Sequence, residues 1–429
     1  MPKDQISAPE ESLADAFQRV RARSLAWAEP LSAEDLCVQT IPDVSPGKWH
    51  LAHTTWFWEA FLLGPFSSGY DPFDPRFNYL FNSYYEAIGE RHPRPRRGEL
   101  TRPSLDEIRA YRAHVDAAVL DWLGAAPEEE LERAGPVIRT GLAHEEQHQE
   151  LFLTDIKHVL SCNSFPEAAY EQGAGAAVGA AAPRPPAPEW AVFEEGLHEF
   201  GHSGDGFAFD NEGPPHKAWI APFALATAPV TNAEFLAFIE DGGYRRPELW
   251  LSDGWAAIQA ENRHAPYYWR KRDAGWAEHT LHGEEPLDPA APACHLDYYE
   301  ASAFAEWTGY RLPEEREWEL AARALDPAAG RWAEPGGRLH PVEPPAGEGL
   351  RGVFGEVWEW TRSAYAPYPG YRAPAGAIGE YNGKFMCGQF VLRGGSALTP
   401  PGHVRATYRN FFPPDARWQM TGLRLARDV

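Results

Sequence analysis

The sequence predicts a fold in two unlike parts, an N-terminal four-helix bundle followed by a loop-rich α+β domain. Three observations lead to this prediction: helical periodicity in residues 1–165, a tract of Gly, Ala and Pro at 166–189, and short irregular segments rich in Trp, Gly and Pro at 190–429. A chain of 429 residues is long enough for two or three domains of ordinary size.

Apolar residues recur at helical spacing in four segments of the first part. These segments are SLADAFQRVRARSLAWAEP, KWHLAHTTWFWEAFLLG, SLDEIRAYRAHVDAAVLDWLG and PVIRTGLAHEEQHQELFLTDIKHVL. Ser104 opens the third segment and Glu107 follows three residues later, which is the pairing of a helix capping box. Four helices in a stretch of this length predict a bundle, and the core of a bundle is a common place for metal ions.

The tract PEAAYEQGAGAAVGAAAPRPPAPE, residues 166–189, has almost no large apolar side chain and therefore predicts a linker. Downstream of it, residues 231–241 and much of 297–325 have helical patterns, whereas 390–397 and 422–428 are typical of short strands. Much of the remaining chain is predicted to be loop, where binding and catalytic residues concentrate.

Charge and composition narrow the possible partners. The formal net charge of −23 argues against nucleic acid or an anionic membrane as a partner. No apolar run approaches the roughly 18 residues of a membrane span, and the N-terminus lacks the pattern of a signal peptide. We therefore expect a cytoplasmic protein. The four cysteines show no CxxC spacing and indicate neither a disulfide framework nor a cysteine zinc site.

The most specific short motif is HEEQH, residues 144–148, which has the H-E-x-x-H pattern of zinc proteases. Residues four apart on a helix lie about 5–6 Å apart at Cβ, so the rings of His144 and His148 can reach one metal ion. A zinc protease needs a third ligand as well. Leu151 and Thr154 stand where the extended motif would have its glycine and its third histidine.

The second predicted helix offers another third ligand. It contains His50 and His53, and a bundle can bring one of them opposite the HEEQH histidines. Three neutral imidazoles would leave three adjacent positions open on an octahedral ion, which suits Fe(II) binding both O2 and a substrate. Zinc remains compatible with the same residue types.

Taken together, the motifs resemble a known family. WHLAH and HEEQHQELFLTDIKH are similar to the DinB-like bundle of the sulfoxide synthases of ergothioneine biosynthesis, the EgtB family. The segments PVTNAEFLAFI, YRLPEEREWELAAR, GEVWEWTRSAY, VLRGGS and TGLRLAR are similar to the formylglycine-generating-enzyme-like domain of that family, which has a C-type-lectin-related fold. The resemblance runs from about residue 15 to the end of the sequence, with both parts in the family's order.

The resemblance implies a non-haem Fe(II) enzyme that uses O2 to join the sulfur of cysteine or γ-glutamylcysteine to hercynine (Nα-trimethylhistidine), leaving a sulfoxide. Carried over by position, the iron ligands are His53, His144 and His148. His50 is then a neighbour of the site, and Glu145 is left without a chemical role. The reactive cysteine pair of true formylglycine-generating enzymes is missing, because no cysteine follows Cys387.

The resemblance also implies roles for residues outside the metal site. Tyr84 and Tyr85 match a tyrosine pair that supplies a proton near the bound oxygen in one subgroup. Another subgroup places its tyrosine in the second domain, where the stretch around Tyr381 is the alternative. Arg94 and Arg97 fall where the family binds the carboxylate of the sulfur donor, a task that suits the two-pronged guanidinium group.

Gln147 and Asn410 match positions that bind hercynine, whose trimethylammonium group is also recognised by aromatic faces. Phe411 and Phe412 follow Asn410 and complete the predicted substrate-binding set. Users of γ-glutamylcysteine have an acidic residue at the position of Phe412. Phenylalanine there favours free cysteine as the sulfur donor.

Three functions are compatible with the sequence. The first is an iron-dependent sulfoxide synthase, and the second is a zinc hydrolase built on HEEQH, which would retain zinc and need no O2. The third is a non-catalytic binding protein, because lectin-like domains often only bind.

Overall fold

The computed structural model describes residues 11–164, 167–171 and 188–429. Of the predicted linker at 166–189, it describes only residues 167–171 and 188–189. Most of that prediction therefore lies outside the described residues. The predicted domain boundaries at residues 165 and 190 stay predictions.

The chain divides into two compact units. The first runs to Ser83 and resumes with Gly89–Gln149, and the second contains Tyr84–Ile88 together with the chain from Glu150 onward. A short segment of the N-terminal half thus belongs to the second unit. The long helix Glu128–Ser161 extends across the division in sequence.

All four helices predicted for the first part are present: α1 (Leu13–Ala28), α2 (Gly47–Phe57), α3 (Leu105–Ala125) and α4 (Glu128–Ser161). Short helices also occur at Gly64–Phe66 and Phe77–Phe81. The predicted capping box at α3 is confirmed. The Ser104 hydroxyl accepts the backbone N–H of Glu107 at 3.3 Å, and the Glu107 carboxylate accepts that of Ser104 at 2.7 Å.

Helix α2 continues into a π-helical turn at Trp58–Leu63, a rare geometry that is frequent near functional sites. The Trp58 indole packs closely against α4, where a Cβ atom on Gly141 would lie only 2.8 Å from the ring. Glycine at this position therefore permits the close approach of α2 to α4, the two helices that carry the predicted metal ligands.

The second unit combines helices with small sheets. Its helices are α5 (Asn232–Glu240), α6 (Ser252–Glu261), α7 (Tyr298–Thr308) and α8 (Glu315–Ala322). The helices predicted at 231–241 and within 297–325 are confirmed by α5, α7 and α8. Helix α6 is not evident from the sequence pattern.

Four sheets are present among the described residues. Their strands are β1 (Trp190–Phe193), β2 (Gly196–Phe200), β3 (His216–Ile220), β4 (Phe223–Ala226), β5 (Trp269–Arg272), β6 (Gly275–Thr280), β7 (Gly283–Pro286), β8 (Trp358–Ala364), β9 (Phe390–Arg393), β10 (Asn410–Phe412), β11 (Thr421–Gly422) and β12 (Ala426–Asp428). The strand orders are β1-β4-β12, β10-β9-β8-β11, β2-β3 and β5-β6-β7. Strands predicted at 390–397 and 422–428 are confirmed in part by β9, β11 and β12.

Strand pairing joins distant parts of the second unit. The last strand, β12, pairs antiparallel with β4, which also pairs with β1. A cluster of buried apolar side chains forms part of the core of this unit. Its members are Phe200, Ile220, Phe223, Leu225, Ala321 and Ala426. Among the described residues, no helix has the length and apolar character that crossing a membrane would require.

Candidate metal centre

His53, His144 and His148 lie together in the first unit. His53 is on α2 and the other two are on α4, and their candidate ligand atoms all lie within 4.8 Å of one another. The closest measured pair is His53 Nε2 and His144 Nε2, at 3.1 Å. The structure thus brings together the three histidines that the sequence predicts as metal ligands.

Contacts on the other ring nitrogens orient these histidines. His53 Nδ1 lies 2.6 Å from the carbonyl oxygen of Phe81, to which it donates, so the lone pair is on Nε2. His148 Nδ1 lies 2.9 Å from Nδ1 of His50. His50 is therefore in contact with one of the predicted ligands. Metal-bound histidines are usually oriented by such a contact on the nitrogen that does not bind the metal.

The environment keeps the three imidazoles neutral. Burial, followed by the neighbouring His144 ring, holds the pKa of His53 and of His148 well below the usual range. Burial also lowers the pKa of His144 to about 3. Neutral imidazole is the form that coordinates a metal ion. The donor set and its protonation therefore fit a divalent transition metal such as Fe(II).

Glu145, the residue that a zinc hydrolase would use as its base, is instead held in a buried set of hydrogen bonds and ion pairs. Its carboxylate accepts hydrogen bonds from Ser24 at 2.7 Å, Arg21 at 3.0 Å, Arg112 at 3.0 Å and Trp58 at 3.2 Å. Burial raises the pKa of Glu145, but the two guanidinium groups outweigh burial and the pKa falls to about 2. A fully buried carboxylate with four partners is poorly suited to accept a proton from water.

Arg97 is connected to the histidines through a stack of rings. The Trp49 ring lies against His53 with centroids 4.6 Å apart and an angle of 12°, and the Arg97 guanidinium is 3.4 Å from the Trp49 centroid. Arg97 is only 3% exposed and donates to Ser45 Oγ at 2.9 Å and Ser83 Oγ at 3.3 Å. Its position is therefore fixed by both stacking and hydrogen bonds.

Arg94, the other predicted carboxylate-binding residue, is in a different setting. It is exposed and donates to the carbonyl oxygen of Asp43. The charge of Arg97, in contrast, is among the influences that lower the pKa of His53 and His148. Arg97 therefore lies close enough to His53 and His148 to affect them electrostatically, and the role of Arg94 in binding a carboxylate stays a prediction.

Gln147 is half-buried on α4, three residues after His144 and one before His148. Residues three apart on a helix share a face. The backbone therefore presents Gln147 close to the surface that the two histidines occupy.

Tyr84 and Tyr85 belong to the second unit, where their rings stack with centroids 4.5 Å apart. Their hydroxyl oxygens are 3.4 Å apart. Burial raises the pKa of Tyr84, and burial followed by the charges of Tyr84 and Tyr381 raises that of Tyr85. All three tyrosines named in the sequence analysis are thus close enough to interact, and the two paired phenols keep their protons at neutral pH.

The segment that carries this pair is held by two residues that sequence reasoning missed, here named the Glu380–Lys384 clamp. The Glu380 carboxylate accepts the backbone N–H groups of Glu86 at 3.0 Å and Ala87 at 2.9 Å. Lys384 pairs with Glu380 at 2.7 Å and donates to the carbonyl oxygen of Tyr84. In the sequence, the one indication of this clamp is that Glu380 and Lys384 have opposite charges and stand four residues apart, on either side of Tyr381.

An aromatic series links Tyr84 to one of the predicted substrate-binding residues. Phe385 meets Tyr84 edge to face with centroids 5.1 Å apart, and it stacks on Phe411 at 5.9 Å. Phe411 in turn lies flat on Tyr365, with centroids 4.0 Å apart. The sequence does not predict this contact of Phe385, because nothing in its spacing distinguishes it from an ordinary core residue.

Asn410, Phe411 and Phe412 form strand β10, which pairs antiparallel with β9. Successive residues of a strand point to opposite faces, so Asn410 and Phe412 share one face and Phe411 occupies the other. The Phe412 ring meets the Trp418 ring edge to face, with centroids 6.1 Å apart. The three predicted substrate-binding residues therefore divide between two surfaces.

Comparison with known families matches the two parts of the chain separately. Residues 16–152 match the DinB superfamily, and residues 176–429 match the sulfatase-modifying factor enzyme 1-like domain. The predicted order of a DinB-like bundle followed by a formylglycine-generating-enzyme-like domain is confirmed.

Three curated proteins are similar over nearly the whole sequence. The hercynine oxygenase of Mycobacterium tuberculosis is 34% identical, with 98% of this chain and 99% of the relative covered. The hercynine oxygenase of Mycolicibacterium smegmatis is also 34% identical, again with 98% and 99% covered. That of Mycolicibacterium thermoresistibile is 33% identical, with 90% of this chain and 88% of the relative covered.

Proposed function

This chain belongs to the hercynine oxygenase family, and from that membership we propose that it joins the sulfur of cysteine to hercynine with O2 and Fe(II) and leaves a sulfoxide. As a member of the family it is an oxidoreductase. The observation that carries the finer proposal is the cluster of three neutral histidines, with Glu145 held in a separate set of contacts.

The histidine cluster would hold the metal. His53, His144 and His148 would each contribute one ring nitrogen, with Phe81 and His50 orienting two of the rings. Bound there, Fe(II) would supply the redox chemistry for O2 and lower the pKa of a coordinated thiol. Three protein ligands are a familiar arrangement for iron enzymes that use O2, because positions remain for substrates.

The protein groups would bind the substrates and supply protons. Arg97 would pair with the carboxylate of the sulfur donor, with its guanidinium already fixed by Trp49 and Ser45. Gln147 and Asn410 would bind hercynine. One of the phenols of Tyr84 and Tyr85 would donate the proton that reduction of O2 requires, since both remain protonated at neutral pH.

The proposed function is tested by anaerobic reconstitution of the full chain with Fe(II), followed by O2 uptake with hercynine and either cysteine or γ-glutamylcysteine. We expect uptake and a sulfoxide product with cysteine, and a lower kcat/KM with γ-glutamylcysteine. The second donor has an additional charged arm that would need a partner once buried, and Phe412 provides none. Turnover without O2, or with zinc alone, would contradict the proposal.

Replacing Arg97 with lysine is expected to raise the KM for cysteine while leaving the KM for hercynine nearly unchanged. Lysine keeps the charge but loses the flat guanidinium that stacks on Trp49 and pairs with carboxylates in two places. Removing one partner of a buried charge contact costs about 2–5 kcal/mol. Because lysine retains the charge, we expect a smaller loss, and kcat/KM for cysteine should fall about tenfold. Steady-state kinetics with each substrate varied in turn measures this effect.

The matched control is Arg96→Lys in the same short helix, because Arg96 is exposed and forms a surface ion pair with Glu99. It should leave both KM values within about twofold of wild type, as expected for a surface pair of small energy. An Arg97→Lys enzyme with an unchanged KM for cysteine would remove Arg97 from donor binding.

Replacing Tyr84 and Tyr85 with phenylalanine, singly and together, is expected to change the product distribution. If one phenol donates a proton during formation of the sulfoxide, its loss should slow that route. Dioxygenation of the thiol to cysteine sulfinate should then take a larger share, because O2 and the thiol can still be bound. Quantifying both products by mass spectrometry measures the ratio. The Tyr381→Phe enzyme tests the alternative position, and a double variant with the wild-type ratio would exclude the pair.

A further inference from the structure

A second cluster of metal-binding residue types lies in the interior of the second unit. Glu278, Cys294 and His340 have their candidate ligand atoms within 4.8 Å of one another. Their exposed fractions are 2%, 1% and 2%, respectively. Glu278 is on β6, whereas Cys294 precedes α7 and His340 lies in the long loop before β8. Three separate parts of the chain therefore meet at this point.

Hydrogen bonds satisfy only part of these side chains. His340 Nε2 is 2.9 Å from Glu278 Oε1. The other carboxylate oxygen, Glu278 Oε2, and the other ring nitrogen, His340 Nδ1, are buried without a hydrogen-bond partner among the described residues. A buried polar atom without a partner costs roughly 1–3 kcal/mol, and more when the group is charged. Such atoms call for an additional ligand at the site, either an ion or ordered water.

From this geometry we propose that Glu278, Cys294 and His340 bind a zinc ion. The donor set of one thiolate sulfur, one imidazole nitrogen and one carboxylate oxygen suits a borderline-soft divalent metal and does not suit Ca²⁺ or Mg²⁺, which require oxygen ligands. On binding, the Cys294 thiol releases its proton to solvent. The charges then balance, because one thiolate and one carboxylate neutralise Zn²⁺.

The surroundings of the cluster are polar as well. His295 follows Cys294 with a left-handed backbone conformation, φ 64°, and its Nε2 lies 2.6 Å from Nζ of Lys157. Lys157 also lies over the ring of Tyr268, 4.7 Å from the centroid. The alternative to a metal is that the hydrogen bond from His340 and the positive charges of Lys157 and Arg338 together compensate Glu278. Metal content distinguishes the two explanations, because that arrangement would bind no zinc.

With three protein ligands, a water molecule would complete the tetrahedral coordination that zinc prefers. The buried position of the cluster indicates a structural role. All three ligands are almost completely buried, so the ion would be taken up as the unit folds and would join β6, the segment before α7 and the loop before β8. It is chemically different from the cluster of three histidines, which contains no sulfur. A zinc–sulfur bond therefore identifies this second site even when a metal is also bound to His53, His144 and His148.

The test uses the full chain produced with zinc supplementation, with metal content measured by mass spectrometry and the zinc environment by X-ray absorption. We expect a zinc–sulfur distance of about 2.3 Å. In Cys294→Ser, the sulfur signal should disappear and the zinc content should fall by one equivalent per chain. In Cys162→Ser, an exposed cysteine, both should be unchanged.

The wild-type spectrum decides the proposal even if Cys294→Ser does not fold. Wild-type protein whose zinc has only nitrogen and oxygen ligands would overturn it. Retention of the sulfur signal in Cys294→Ser together with its loss in Cys162→Ser would also overturn it, because the metal would then be bound at the surface.

Discussion

Replacement of His53 by alanine is expected to abolish both iron binding and O2-dependent turnover. His53 is the only predicted ligand from α2, and its Nε2 lies 3.1 Å from that of His144. Without it, the two histidines of α4 remain, and two imidazoles on one helix hold Fe(II) weakly. The measurements are iron per chain after anaerobic loading and desalting, and O2 uptake with hercynine and cysteine.

Two further histidines provide a graded control for this result. His50 contacts His148 without being a predicted ligand, so His50→Ala should bind iron about 10–100-fold more weakly and retain turnover at saturating iron. His114 is exposed on α3, and His114→Ala should resemble wild type. Full iron content and activity in His53→Ala would disprove the three-histidine site.

Replacement of Glu145 by glutamine is expected to destabilise the first unit strongly while leaving the chemistry possible. Arg21 and Arg112 are 3% and 1% exposed, and both pair with the Glu145 carboxylate at 3.0 Å. Removing one partner of a buried ion pair costs about 3–5 kcal/mol when the remaining charge loses its compensation. Arg112 loses its carboxylate partner in this variant, whereas Arg21 keeps Asp116 at 2.6 Å. Equilibrium unfolding in urea measures the loss, and the folded variant should still bind iron and consume O2.

Glu146→Gln is the matched control, one residue further along α4. Glu146 is half-buried and lies 3.7 Å from the exposed Arg19 and 4.0 Å from the half-buried Arg23. These contacts are longer than the 3.0 Å contacts of Glu145, so Glu146→Gln should lose less stability than Glu145→Gln. Loss of turnover in Glu145→Gln with iron content and stability unchanged would instead indicate a catalytic base, as in a zinc hydrolase.

The same carboxylate predicts an acid-dependent loss of stability. The folded-state pKa of Glu145, about 2, lies below the ordinary value of 4.5. Its stabilising contribution is therefore complete above the unfolded-state pKa and is lost as the pH falls from about 4.5 towards 2. In Glu145→Gln this part of the pH dependence should be absent, which urea unfolding at several pH values can measure.

The sequence was most informative where local pattern determines structure. Apolar spacing predicted α1 to α4, because each helix must bury one face, and the Ser104–Glu107 spacing predicted its own cap. The π-helical turn at Trp58–Leu63 could not be predicted in this way. It depends on a one-residue change in hydrogen-bond register, which leaves no mark on the composition of the segment.

Long-range contacts explain what the sequence could not reveal about the sites. HEEQH suggested a base at Glu145, but Arg21 and Arg112, far away in the chain, determine its actual environment. The same holds for Cys294. Its spacing gave no sign of a metal site, because Glu278 and His340 come from other elements of the second unit and meet it only in the fold.

The Glu380–Lys384 clamp has a consequence for how such genes can recombine. After a single crossover anywhere between residues 166 and 189, Glu380 and Lys384 would come from one parent and Tyr84–Ile88 from the other, although all of them belong to one compact unit. The predicted linker at 166–189 therefore does not coincide with the division of the chain into its two compact units. Functional chimaeras between relatives require that the tyrosine segment be inherited together with the C-terminal half, which takes a double exchange or a parent with matching residues at both places.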